Sequence, residues 1–320
     1  MKIGKVGSFL SYVITFLLVF CTGGVARAAW LYTSDPSYDS LAGNGQGGVV
    51  AGGTPFEIFF LGTLLDENYL WIGVNGNLPL TGLDTGPSYN GFSIGNGNIG
   101  WGDIFLDSSG LGNFKAASDA GRLIGIRAIP NNDSKAPKIG IYDQVKAVST
   151  VPQNGGWSNL GNHNLYGVRP RTGQDAAMGE LAWNDPYYAD YITPGAWNRP
   201  ETLIPTVIES GNYLGDVTLL NASDLQAAGF DLSAFSSTGS QTWGVKVDRS
   251  LFPIGEHILS WWLECNNDGI ATKVNITERS EEPTDMTSVP EPTSVLGLIL
   301  AGVFGAGTVL KRKQCQSMEA

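Results

Sequence analysis

The chain has little of what covalent and transition-metal chemistry needs. Among its 320 residues are three cysteines and two histidines. Cys21 and Cys315 fall in the terminal segments, so Cys265 alone belongs to the body and no intramolecular disulfide is available there. No cluster of His and Cys has zinc spacing. No Gly-x-Ser-x-Gly elbow is present. A Ser/His/Asp hydrolase needs a histidine held between nucleophile and carboxylate. His257 falls on the apolar register of a strand pattern and is expected buried and satisfied. His163 stands in the polar run Gly161-Asn162-His163-Asn164 and is expected solvated. The sequence therefore reads as non-catalytic.

Positive charge is also scarce. The whole chain has 19 Lys+Arg against 30 Asp+Glu. Residues 29–288 keep 13 of the former and 28 of the latter, a net charge near −15. That balance excludes a nucleic-acid partner, which requires clustered Lys and Arg. It suits a soluble surface protein or one that gathers divalent cations. Long amphipathic helical patterns are missing as well. Forty-three glycines and many Asn-Gly pairs separate short apolar runs, which predicts an all-β body.

The two ends carry the strongest signals. Lys2 and Lys5 precede an apolar run from Phe9 to Cys21, and Ala26-Arg27-Ala28 is a small-x-small cleavage site. This is the pattern of a secretory signal peptide (residues 1–28), with the mature chain expected to start at Ala29. At the other end, Val289-Pro290-Glu291-Pro292 precedes an uncharged run of 18 residues, Thr293 to Leu310, closed by Lys311-Arg312-Lys313. As a helix the run reaches roughly 27 Å, enough to cross a bilayer, and the basic stop stays on the cytoplasmic side. The two prolines fix φ and remove backbone donors, so the motif stays extended, as a processing enzyme requires.

This tail resembles the PEP-CTERM sorting signal of exosortase-dependent bacterial proteins. The resemblance covers about a tenth of the chain. It implies export through the secretion translocon, transient residence in the inner membrane, and recognition near Pro290-Glu291-Pro292 by an exosortase-type membrane enzyme. Delivery to the cell surface or the medium would follow. Four blocks of the body are similar to segments of a cyanobacterial group of such surface proteins: Asn75 to Gly82, Gly97 to Asp103, Gly239 to Gly244 and Glu264 to Ile270. That similarity implies a surface location and transfers no catalytic residue.

Between the ends, residues 29–277 are expected to form one antiparallel β-sandwich, jelly-roll-like, with long loops and one short helix. Strands are predicted over Glu57–Leu65, Tyr69–Val74, Ile99–Leu106, Arg122–Ile129, Lys138–Val148, Leu203–Glu209, Asp216–Leu220, Thr242–Asp248, His257–Cys265 and Gly269–Ile276. Asn75-Gly76, Asn90-Gly91, Asn96-Gly97, Asn154-Gly155 and Asp268-Gly269 tolerate positive φ and mark turns. Asn221, with Asp224 three residues on, caps a helix over Ala222–Ala228 that Gly229 can end. The stretch from Gln153 to Arg199 reads as long loops crossing the sandwich. Residues 278–288 read as a flexible spacer. The sorting signal occupies 289–313, and residues 314–320 form a cytoplasmic tail.

Three binding or catalytic readings remain for the body. Asp103 with Glu264 is a carboxylate pair that a glycosidase could use if the fold brought them together. Asn266-Asn267-Asp268 and Asn131-Asn132-Asp133-Ser134 offer hard oxygen ligands for calcium, with ordinary Asx turns as the plainer alternative. Trp183, Asp185, Tyr187, Trp197 and Trp262 combine aromatic faces with polar neighbours, as carbohydrate-binding sites do, against the alternative that they fill gaps under loops. The expectation from the sequence is a surface or extracellular-matrix component, with exopolysaccharide as its conceivable partner. A calcium-assisted carbohydrate-binding module is the second reading and a polysaccharide-processing enzyme the third.

Overall fold

A computed structural model describes residues 28–35, 39–40, 54–197 and 199–279. The signal-peptide core, Ala26, the spacer from residue 280, the sorting motif and the basic stop lie outside the described residues. Among the described residues no helix is long and apolar enough to cross a membrane.

Eleven strands build two main antiparallel sheets. They are β1 (Leu31–Ser34), β2 (Ile58–Leu65), β3 (Tyr69–Gly76), β4 (Trp101–Asp107), β5 (Leu123–Arg127), β6 (Gly140–Val148), β7 (Val207–Gly215), β8 (Thr218–Asn221), β9 (Gln241–Asp248), β10 (Gly255–Leu263) and β11 (Gly269–Ile276). One sheet has the order β1-β2-β3-β9-β8 and the other β7-β6-β5-β4-β10-β11. All ten predicted strands have counterparts, most within two or three residues at each end. The widest shift is β7, which begins at Val207 and not Leu203, because Pro205 cannot donate to a ladder, and ends at Gly215, six residues past the expected Glu209. β1 was not anticipated.

The sheets pack face to face over one apolar core. Ile58, Leu61, Ile72, Val74, Trp243 and Val245 project from the five-stranded sheet. Trp101, Ile104, Ile126, Leu259, Trp261 and Leu263 meet them from the other. In β10 alternate side chains, Leu259, Trp261 and Leu263, point into this core, on the register that also carries His257. Cys265, just past the strand, is a buried free thiol. Three tryptophans knit the centre, with Trp101 and Trp243 ring centroids 5.5 Å apart and Trp261 within 5.1 Å of both.

Neither outer face is bare. The six-stranded sheet buries Phe105, Leu123, Tyr142, Ile208 and Trp262 under a second apolar layer. Phe114, Leu160, Met178, Tyr187, Tyr188 and Ile204 supply that layer. The Gln153–Arg199 stretch is therefore a cover for one face rather than a set of crossing loops. It contains short helical turns over Leu160–Asn162, His163–Val168 and Arg169–Thr172. On the other sheet, Phe59, Phe60, Leu220, Leu225 and Phe230 form a third cluster. Gly62 and Gly73 pair across β2 and β3, and a Cβ on either would come within 2.7 Å of the Phe230 ring. The paired glycines leave the seat that this ring fills.

Local signals explain most connections. Asp66 Oδ1 accepts from the Asn68 and Tyr69 amides and turns β2 into β3. The helix Ala222–Ala227 starts at a full capping box between Asn221 and Asp224, and Gly229 follows at φ +88°. Asn90 and Gly91 both have positive φ and close a small hairpin between Ser88–Tyr89 and Phe92–Ser93. Asn75-Gly76 is a correction. It is no turn but the end of β3, where the buried Asn75 side chain donates to the Gly239 and Gln241 carbonyls and accepts from the Gly239 amide.

Candidate functional site

The described residues contain one group of three or more side chains disposed to hold a metal ion: Asp35, Asp39 and Asp268. One carboxylate oxygen from each lies within 4.8 Å of the others. All three residues are buried. Asp35 and Asp39 lie close together in the chain and Asp268 far from both. Asp35 ends β1, and its amide donates to the Phe59 carbonyl at 2.8 Å. Asp39 accepts from the Ala177 amide at 2.6 Å. Asp268 sits in the β10–β11 turn and accepts from the Ile58 amide at 2.7 Å and from Gly269 at 2.7 Å. The site thus lies where the edge strands of the two sheets meet, a seam also held by a 2.6 Å hydrogen bond between the Thr33 and Thr272 hydroxyls.

A fourth carboxylate backs the triad. Glu57 is fully buried, and its Oε2 accepts from the Ser40 hydroxyl at 2.8 Å. Among the described residues its Oε1 has no hydrogen-bond partner, and neither has Asp39 Oδ1 nor Asn267 Oδ1. Burial, and then the neighbouring Glu57 charge, holds the Asp39 carboxyl far above the usual carboxylate range. Burial also lifts Asp268, reinforced by Asp39, Asp35 and Glu57, and lifts Glu57 to about 7. Two ionised members 4.8 Å apart would repel by about 3.5 kcal/mol at an effective dielectric near 20.

The calcium loops of the sequence reading divide here. Asp268 belongs to the cluster. Asn266, at φ +50°, turns its amide to the Trp157 carbonyl at 2.9 Å. In the other loop, the Asn131 amide donates to the Thr81 carbonyl and Asn132 to Asp103. Asp133 accepts from Asn96 and Asn154. That loop spends its polar groups on internal hydrogen bonds.

The fold does bring Asp103 and Glu264 together, and closes them off. Both are fully buried. Asp103 accepts from Asn132, Ser134 and the Ile208 amide; Glu264 accepts from the Gly100 amide at 2.8 Å and from the Asp133 amide. Burial raises the Glu264 carboxyl to about 8 despite these donors, and the Asp103 charge adds to the rise. The pair ties the Asn131–Ser134 loop to the sheet. His163 is another correction. It is buried rather than solvated, and burial pulls its imidazole down to about 4. His257 is buried as expected, with Nε2 2.8 Å from the Pro253 carbonyl.

The five aromatic-site candidates do not converge. Trp262 is fully buried, with its ring 5.4 Å from Phe114 and 5.5 Å from Tyr188. Tyr187 is buried in the same cluster, and its hydroxyl donates to Asp107 at 2.9 Å. These two rings fill space beneath the covering segment and offer no face to a sugar. Trp183 is half-buried against that cluster, and Asp185 caps the short turn Pro186–Tyr191. Trp197 is 43% exposed and lies beside Tyr166 and Trp157.

A different aromatic surface emerges. A cleft of about 770 Å³ is lined by Trp30, Tyr32 and Trp71 together with Asp66, Asp224 and Asp231. Trp71 Nε1 donates to Asp66 at 2.6 Å, and Trp30 Nε1 to the Ala228 carbonyl at 2.9 Å, so both indoles are fixed in orientation. The Lys246 ammonium lies 4.9 Å from the Trp71 ring centroid. Ala28 and Ala29, expected to flank the cleavage site, also line this cleft. The alternation in Trp30-Leu31-Tyr32 was the available signal, but β1 is only four residues long and abuts the expected signal peptide.

Comparison of the chain with protein-family models, with curated proteins and with solved structures gives no match.

Proposed function

We propose that this is an exported, exosortase-processed component of the cell surface or extracellular matrix with no catalytic role. The observation that carries the reading is the pairing of a signal-peptide pattern before Ala29 with Val289-Pro290-Glu291-Pro292, an uncharged run and Lys311-Arg312-Lys313. The acidic body of residues 29–288 and its one cysteine suit an exported protein. The finer reading of the sandwich as jelly-roll-like draws support from β3–β9 and β4–β10, pairs that join early and late strands. Fractionation of native cells tests the function. A form shortened at both ends, at the surface or in the medium, is expected. Full-length protein confined to the inner membrane would refute processing.

A second reading, carbohydrate binding, is favoured by the cleft in which Trp30, Tyr32 and Trp71 stand beside three carboxylates. Exopolysaccharide is its proposed ligand class. Glycan arrays screened with and without calcium test it, and silence across both conditions would sink it.

A further inference from the structure

We propose that Asp35, Asp39 and Asp268 form a calcium site that fastens the N-terminal segment of the body to the β10–β11 turn. Oxygens that ligate one calcium at about 2.3–2.6 Å lie at most about 5 Å apart. The three carboxylates meet that condition, with ligand atoms within 4.8 Å of one another. Two observations independent of the triad point to a cation. Glu57 is fully buried beside it: its Oε2 accepts from Ser40, the residue after Asp39, the amide of the next residue, Ile58, donates to Asp268, and its Oε1 has no partner among the described residues. Asn267, which precedes Asp268 in the same turn, is buried, and its amide oxygen Oδ1 has no partner among the described residues.

The donor set selects the ion. Every ligand is a hard oxygen and no cysteine belongs to the group, which favours calcium or magnesium over softer metals. Three carboxylates from two parts of the chain, with the Glu57 carboxylate beside them, suit the larger, irregular shell of calcium. Magnesium keeps more of its own water and a stricter octahedron. The ion would bridge the end of β1, the segment after it and the turn between β10 and β11, and so clamp one edge of the sandwich. The proposal rests on the exported reading only for the source of the ion; binding itself is independent of how the tail is processed.

The test uses the full chain in detergent, stripped with EDTA. It is titrated with calcium chloride by calorimetry and followed by thermal unfolding, with magnesium chloride at matched ionic strength as the control. A saturable single-site binding curve is expected, with a melting temperature roughly 5–10 °C higher when calcium is about a hundredfold above its dissociation constant. Absence of binding heat, or an equal rise with magnesium, would overturn the assignment. Asp268→Asn and Asp39→Asn should weaken calcium binding at least about tenfold, since each replaces a carboxylate ligand with a neutral amide. If Asp268→Asn does not fold, Asp35→Asn serves in its place. Variants that keep wild-type affinity would overturn the proposal. A tail found uncleaved in cells would refute the sorting reading and leave this binding constant unchanged.

Discussion

Asp39, near the start of the described body, and Asp268, in its last hairpin turn, place carboxylate oxygens within 4.8 Å of each other in a buried seam. Each is held by a backbone amide from elsewhere, Ala177 for Asp39 and Ile58 for Asp268. The contact joins the early and late parts of the described sandwich at a buried cluster of carboxylates. Among the described residues Cys265 is the single cysteine and is a free thiol, so no disulfide fastens this seam.

Glu264 makes the stability of the body depend on pH. Its carboxyl titrates near 8 when folded and near 4.5 when unfolded, because burial penalises the charged form. Between those values the folded state holds the extra proton. Stability from this group is therefore complete below about pH 4.5 and is lost as pH rises through 8, by on the order of 3–5 kcal/mol. Urea denaturation from pH 5 to 9 should show the decline. Glu264→Gln should remove that component of the slope, while lowering stability overall because its NH2 group meets an N–H donor. A variant with the wild-type slope would contradict the assignment.

Trp262 is a core residue of the second apolar layer. Trp262→Ala should cost about 3–5 kcal/mol in urea unfolding. Trp197→Ala, at an exposed ring, should cost less than about 1 kcal/mol. Equal losses would contradict the burial assigned to Trp262.

Gly102 stands where a side chain has no room. A Cβ there would lie 2.1 Å from the Thr206 carbonyl oxygen and 2.7 Å from that of Trp262. Both contacts are with backbone and cannot be relieved by a rotamer. Gly102→Ala should lower stability by more than about 2 kcal/mol or prevent folding. Gly110→Ala, with open space at its Cβ but a φ of +69°, should cost only about 1 kcal/mol. Thermal melts of the two variants give the comparison.

Trp71 decides the carbohydrate reading. Its indole is fixed by Asp66 and lines the cleft with Trp30. If glycan binding is detected, Trp71→Ala should weaken it at least about tenfold, and Trp183→Ala should leave it unchanged. The reverse pattern would move the site to the covering segment.

The strands were legible because each is a short apolar run between turn formers, and the helix at Ala222 because Asn221 and Asp224 announce its cap. Asn75-Gly76 was misread because the amide of Asn75 serves a ladder end, a partner choice made by β9 and invisible locally. The helix Phe114–Asp119 was overlooked although Asn113 caps it through its side chain; at six residues it has too few turns for an apolar period. The site was half legible. Asp268 stood out beside Asn266 and Asn267, while Asp35 and Asp39 gave no sign of their role. Their meaning comes from long-range assembly, since a carboxylate near a strand end is ordinarily solvated. Trp262 read as a candidate sugar platform because its polar neighbours Glu256 and Glu264 share its register in the strand, and only the covering segment buries it.

The most direct test of the account is the intact mass of the protein from native cells, measured separately in the inner membrane, surface and medium. A mature form that starts at Ala29 and ends near Pro290-Glu291-Pro292, at the surface or in the medium, is the predicted result. A chain that retains Lys311-Arg312-Lys313 and stays in the inner membrane would contradict it.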